Sequence, residues 1–148
     1  SATTVTLDFG AEQPQGVYML APRKIHKFAD GSQGWRLEAN EGSNFFVHPS
    51  FANLDTRDYY IRLTLRRIGP GNVGMNCFYE MADSQGRTPY KNRGEWYSAA
   101  ADEGWQTHTW HVSDACFSTM WGYDFCFRPE QSVPFVIGKV EVSTQPLK

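Results

Sequence analysis

The chain has 148 residues, enough for one domain with its own core and too few for two, so residues 1–148 are read as a single domain. Hydrophobic residues make up 41% and charged residues 20%, with no apolar run long enough to span a bilayer as a helix; a disordered chain and a transmembrane segment are both excluded. Lys and Arg number 14 against 16 Asp and Glu, a formal net charge of −2, so the basic excess that phosphate-backbone binding exploits is missing and neither nucleic acid nor membrane is expected as a partner.

In chain order, Val5 to Phe9 alternates apolar and polar and reads as a first strand ending at Gly10. A polar loop with Pro14 leads to a short pairing segment, Val17 to Leu20. The turn from Phe28 to Gly34 opens the segment Trp35 to Ala39, and a second turn at Asn40 opens Asn44 to His48, which Pro49 stops. The clearest strand is Asp58 to Ile68, with Tyr59, Ile61, Leu63 and Leu65 on one face and Tyr60, Arg62, Thr64 and Arg66 on the other. After the Gly69 to Asn72 turn, Val73 to Met81 places Met75, Cys77 and Tyr79 opposite Asn76, Phe78 and Glu80. The two segments are expected to pair as an antiparallel hairpin.

Asp83 to Ala101 is a long irregular stretch broken by Gly86, Pro89 and Gly94, and loops of that length in small domains often carry function. Strands follow over Trp105 to Val112, Tyr123 to Arg128 and Phe135 to Val142, with a turn or helical turn over Ser113 to Met120. Thirteen glycines and 8 prolines divide the chain into short pieces without a helical period. The fold class is therefore all-β, an antiparallel β-sandwich or jelly roll.

Gly104 to Phe117, with Trp105, Trp110 and the Asp114-Ala-Cys-Phe117 turn, followed by Tyr123-Asp-Phe-Cys-Phe-Arg128 and Val136 to Val142, resembles the closing part of galactose-binding-like β-sandwich domains. Gln33-Gly-Trp35 similarly resembles their opening. The likeness covers about half the chain by pattern, and Cys126 between two Phe residues departs from it. What the resemblance implies is a carbohydrate-binding module: a non-catalytic domain that binds a polysaccharide or oligosaccharide for an attached glycan-degrading enzyme. Such work implies a secreted, extracellular or periplasmic setting; the N-terminus shows no signal segment, so one is expected to be removed or upstream. Monomer is the default.

A sugar site needs aromatic faces for the ring C–H groups and planar polar side chains for the hydroxyls. Aromatic residues reach 15% of the chain, and seven of its 12 Trp and Tyr residues fall in the stretch from Tyr90 to Tyr123. Trp96, Trp121 and Tyr90 lie in polar, Gly-containing loops and are the first candidate ligand contacts, with packing as the alternative. Trp105 and Trp110, five apart on a strand, face opposite ways, and Trp110 beside Val112 is expected in the core. The wet face of the expected hairpin adds Tyr60, Arg62, Asn76, Phe78 and Glu80 as ligand-binding candidates; its alternative is a solvated surface with ion pairs such as Arg62–Glu80. On that face Arg62 and Arg66 beside an aromatic would also suit a carboxylated sugar.

His108 and His111, three apart on one strand, diverge, and no transition-metal site is expected from them. By resemblance, a structural calcium ion would draw on Asp8, Asp30 and Glu141 as oxygen donors, although no calcium-loop motif is present. Cys77, Cys116 and Cys126 lack zinc or redox spacing and are expected to pack as small hydrophobes, with nothing to support a Cys116–Cys126 bridge. No nucleophile elbow or phosphate loop is present, so no catalytic residue is assigned. Two other readings stand beside the binding module. One is a structural or protein-interaction sandwich packed against a catalytic domain, and the other is a small glycan hydrolase or lyase using acids such as Glu80 or Glu95.

Overall fold

A computed structural model describes residues 3–20, 24–53, 57–81, 90–119 and 122–148, with Tyr90 described through its backbone. The described residues form strands and no helix: β1 (Thr4–Asp8), β2 (Val17–Met19), β3 (Lys24–Lys27), β4 (Gln33–Leu37), β5 (Ser43–Val47), β6 (Arg57–Arg67), β7 (Gly74–Met81), β8 (Tyr90–Arg93), β9 (Tyr97–Ser98), β10 (Trp105–Ala115), β11 (Phe125–Pro129) and β12 (Phe135–Ser143). All strand pairs are antiparallel, and they make two packed layers. One runs β10-β6-β12-β4-β3, with β1 also on β12; the other runs β2-β5-β11-β7, with β8 and β9 along β7. The layers join at a corner where Ala115 of β10 pairs with Met81 of β7. The architecture is the antiparallel β-sandwich that the alternation implied.

Alternation decides what each strand buries. Tyr59, Ile61, Leu63 and Leu65 of β6 are fully buried, as are Met75 and Cys77 of β7, and Tyr79 is nearly so. Between the layers the Trp110 ring stacks on Phe127 at 5.5 Å; within the second layer Phe45 stacks on its cross-strand partner Phe125 at 5.2 Å, and Tyr59 of the first layer meets Phe117 at 4.8 Å. Each such side chain contributes on the order of 1.5–3 kcal/mol by leaving water. Trp110, at 1% exposure, is core as expected, and Trp105 faces outward. Cys77, Cys116 and Cys126 are buried free thiols.

The expected hairpin of β6 with β7 does not form. Both edges of β6 are already occupied, by β10 from Trp105 to Ala115 and by β12 from Phe135 to Ser143, so β7 has no edge to join and crosses to the other layer. It pairs there with β11, β8 and β9. Tyr60 and Arg62 therefore look out from one side of the sandwich, and Asn76 and Phe78 from the other.

Candidate functional site

The outer face of the second layer is built around β7. With Met75, Cys77 and Tyr79 turned inward, the opposite parity sends Gly74, Asn76, Phe78 and Glu80 outward. Trp96 comes from the connection between β8 and β9 and lies over Gly74, where a Cβ atom would overlap its six-membered ring. Absence of a side chain at Gly74 is what lets the indole pack this closely against the sheet. Trp96 remains 47% exposed, and its Nε1 donates to Ser98 Oγ at 2.9 Å, which fixes the ring. Open notches flank it, one of about 330 Å³ between Asn72, Ser98 and Gln131 and one of about 480 Å³ against Asn76, Arg93 and Glu95.

Cross-strand register puts polar groups beside this platform. Asn76 pairs with Arg128 of β11, and Phe78 pairs with Arg93 of β8, so all four side chains share one face. Asn76 Nδ2 donates to Gly94 O at 3.1 Å, and the Arg128 guanidinium stands 5.0 Å above the Phe78 ring. Of the sequence candidates, Trp96, Asn76 and Phe78 are brought together. Arg93 and Arg128 join them, and only strand pairing reveals that.

At the far end of β7 the face is closed. Glu80, expected on a wet surface, is fully buried: its Oε1 accepts the Ser118 N–H at 2.5 Å, its Oε2 accepts the Ser118 hydroxyl at 2.9 Å, and Lys91 Nζ lies 3.6 Å away. The segment from Cys116 to Thr119 folds over it, anchored by the Cys116 N–H on Glu80 O. Asp124, also fully buried, accepts the Val47 N–H at 2.7 Å and the Thr119 N–H at 2.9 Å. Burial nevertheless pushes its carboxyl up to about 6, ahead of the lowering by those hydrogen bonds. Lys91 donates to Tyr123 O at 2.8 Å and sits 4.2 Å over the Tyr123 ring, and its own burial lowers its pKa. Glu80 is thus a structural carboxylate holding a loop, and the proposed Arg62–Glu80 pair is replaced by Glu80–Ser118–Lys91.

On the opposite layer, Arg62 forks onto Glu141 of β12, Nε to Oε1 at 2.7 Å and Nη2 to Oε2 at 3.0 Å, and Nη1 donates to Lys148 O at 2.8 Å. Tyr60 stacks on His111 at 4.4 Å. Neither residue contributes to the face around Trp96. His108 points inward against Tyr97 and Trp110 while His111 points outward, as their spacing predicts. The three calcium candidates do not converge. Glu141 is engaged by Arg62, Asp8 Oδ1 accepts the Gly10 N–H at 2.9 Å, and Asp30 accepts from Ser32 and from Arg66 Nη1 at 2.7 Å. Among the described residues no group of three His, Cys, Asp or Glu is placed to hold a metal. Trp121 and the side chain of Tyr90 lie outside the described residues.

A second exposed indole, Trp105, occupies that same layer. It covers Gly138 of β12, where a Cβ would come within 2.8 Å of the ring, and Phe28 meets it edge-on at 5.9 Å. Arg66 lies 4.0 Å over Phe28 and ties the group to Asp30, Ser32 and Glu103 O. An open notch of about 560 Å³ lies between Trp105, Thr64, Lys139 and Asp8. The outward parity of Trp105 was legible in the sequence, but the Gly138 beneath it was not.

No protein-family model matches the sequence, and no curated protein matches it. Similar solved structures do exist. A family 29 carbohydrate-binding module from Piromyces equi aligns at TM-score 0.57 and 11% identity, over 97% of this chain and 93% of that one. The CBM22-1 and GH10 modules of Clostridium thermocellum xylanase 10B, complexed with xylohexaose, align at TM-score 0.56 and 11% identity over 97% of this chain and 26% of that one. The C-terminal CBM6 of LamC from Zobellia galactanivorans aligns at TM-score 0.50 and 12% identity over 95% of this chain and 98% of that one. The fold is the β-sandwich jelly roll of these carbohydrate-binding modules.

Proposed function

We propose that this chain is a non-catalytic carbohydrate-binding module. The observation that carries the reading is an exposed indole, Trp96, packed against Gly74 on the outer sheet face that also carries Asn76, Arg93 and Arg128. A flat aromatic surface receives the C–H face of a pyranose, while Asn76, Arg93 and Arg128 offer planar hydrogen-bonding groups to its hydroxyls. From Gly74 to Phe78 the strand runs about 13 Å, room for a short run of sugar rings rather than one. Likeness of fold to carbohydrate-binding modules, two of them from glycan-active enzymes, supports the same reading.

Such a domain adds no chemistry of its own. It holds an attached enzyme near an insoluble or extended polymer by raising effective concentration, outside the cell where such polymers lie. An open face leaves much of the ligand hydrated, so affinities from micromolar to millimolar are expected. Affinity electrophoresis and calorimetry with plant, algal and microbial polysaccharides test this. Retardation by at least one polymer, lost in Trp96→Ala with the fold intact, is the expected result. A folded protein that no polymer retards would sink the reading in favour of an interaction domain.

A further inference from the structure

Arg93 and Arg128 stand on the strands either side of β7, on the same face, with Phe78 between them. The ion pairs of the described residues engage Arg36, Arg62, Arg66, Lys91, His111 and Lys139; neither Arg93 nor Arg128 has a carboxylate within 4.0 Å among those residues. Both are exposed. The partners of Arg128 are neutral at pH 7: the Phe78 ring, the Cys126 thiol and the Tyr123 phenol, the last pushed up to about 12 chiefly by burial. Lys91, by contrast, is balanced by Glu80. In a chain of net charge −2, two guanidinium groups with no carboxylate partner among the described residues, two strand spacings apart, about 10 Å, form a local positive site over an aromatic floor.

We propose that this face selects glycans carrying an anionic group, a uronate carboxylate or a sulfate ester, seated over Phe78 between Arg93 and Arg128, with an uncharged ring of the same chain lying on Trp96. The proposal rests on the carbohydrate-binding reading and names its ligand class. The guanidinium fork presents paired N–H donors that match two oxygens of a carboxylate or sulfate. Charge also sets polarity along the face. Glu130 shares one notch at Trp96 with Arg67 and Glu95 shares the other with Arg93, so charge there is balanced, and the anionic unit belongs at the Phe78 end, under Arg128.

The test compares binding of the full chain to polygalacturonate, methyl-esterified polygalacturonate, dextran sulfate, dextran and a neutral xylan. It uses wild type, Arg93→Gln/Arg128→Gln, Trp96→Ala, and Lys24→Gln/Lys27→Gln as a control for charge on the other layer. Expected is tighter binding to polygalacturonate than to its ester, or to dextran sulfate than to dextran, and the pair that differs tells carboxylate from sulfate. The double Arg variant should lose this preference by tenfold or more with an unchanged melting temperature, while the Lys control retains it. Equal loss in the Lys control marks nonspecific attraction and overturns the proposal. Binding to xylan or dextran with no preference for an anionic polymer overturns it while leaving the carbohydrate-binding reading standing. Binding to no polymer removes both.

Discussion

Trp96 rests on Gly74 at the outer face of β7 with its ring where a methyl group would otherwise stand. The contact makes Gly74 as much a part of the platform as the indole. Gly74→Ala should therefore tilt Trp96 off the sheet and weaken polysaccharide binding by about as much as Trp96→Ala, tenfold or more, which corresponds to about 1.4 kcal/mol. Both variants should still melt cooperatively, because Trp96 is 47% exposed and lies outside the core cluster. Calorimetry and thermal melts on the two variants check this; full affinity in Gly74→Ala would separate the indole from its support.

Arg62 and Glu141 predict the reverse pattern. Glu141 is buried and both its oxygens accept from one guanidinium, so Arg62→Ala leaves a buried carboxylate that loses both of these hydrogen bonds and keeps only Lys139 Nζ at 3.7 Å. Breaking such a pair costs about 3 kcal/mol, whereas sugar affinity should not change, because the pair lies on the opposite layer from Trp96. Tyr60→Ala should likewise leave affinity unchanged. Denaturant titration and polysaccharide binding on the same preparations separate the two effects.

How much of this was legible in the sequence follows from what alternation encodes. Period-two patterning within β6, β7 and β10 states which side chains turn inward, and Tyr59, Leu63, Cys77 and Trp110 are buried accordingly. It does not state which strands share an edge. Because β6 pairs with β10 and β12, the outward residues of β6 and β7 ended on opposite sides, and Asn76 acquired Arg93 and Arg128 as neighbours in place of Arg62. Glu80 shows the other blind spot: its outward parity was right, yet a later segment of chain, Cys116 to Thr119, folds over it.

Glu80 holds that segment through both oxygens, so Glu80→Gln places an amide N–H₂ where the Ser118 N–H or hydroxyl now donates. The expected cost is about 1–3 kcal/mol of stability. Any polysaccharide-cleaving activity traced to this residue, seen as new reducing ends or unsaturated product lost in the stable fraction of the variant, would contradict its structural role.

Asp124 gives the domain a pH dependence of definite sign. Its carboxyl sits at about 6 in the folded protein against 3.8 in the unfolded chain, because desolvation outweighs the Val47 and Thr119 hydrogen bonds and the attraction of Lys91, with Glu80 adding repulsion. A raised folded pKa means the native state binds the extra proton. The contribution of Asp124 to stability is therefore fully present below about pH 3.8 and is lost as pH rises through about 6. Asp124→Asn removes this titration and also costs about 1–3 kcal/mol at every pH, since one amide donor must face the Val47 or Thr119 N–H. The melting temperature of wild type minus that of Asp124→Asn should accordingly shrink between pH 4 and pH 7 as the buried carboxylate ionises. Subtracting the variant cancels the carboxylates that do not interact with Asp124, so a difference that stays flat across this window, or grows, would mean that Asp124 ionises in the folded protein at least as readily as in the unfolded chain.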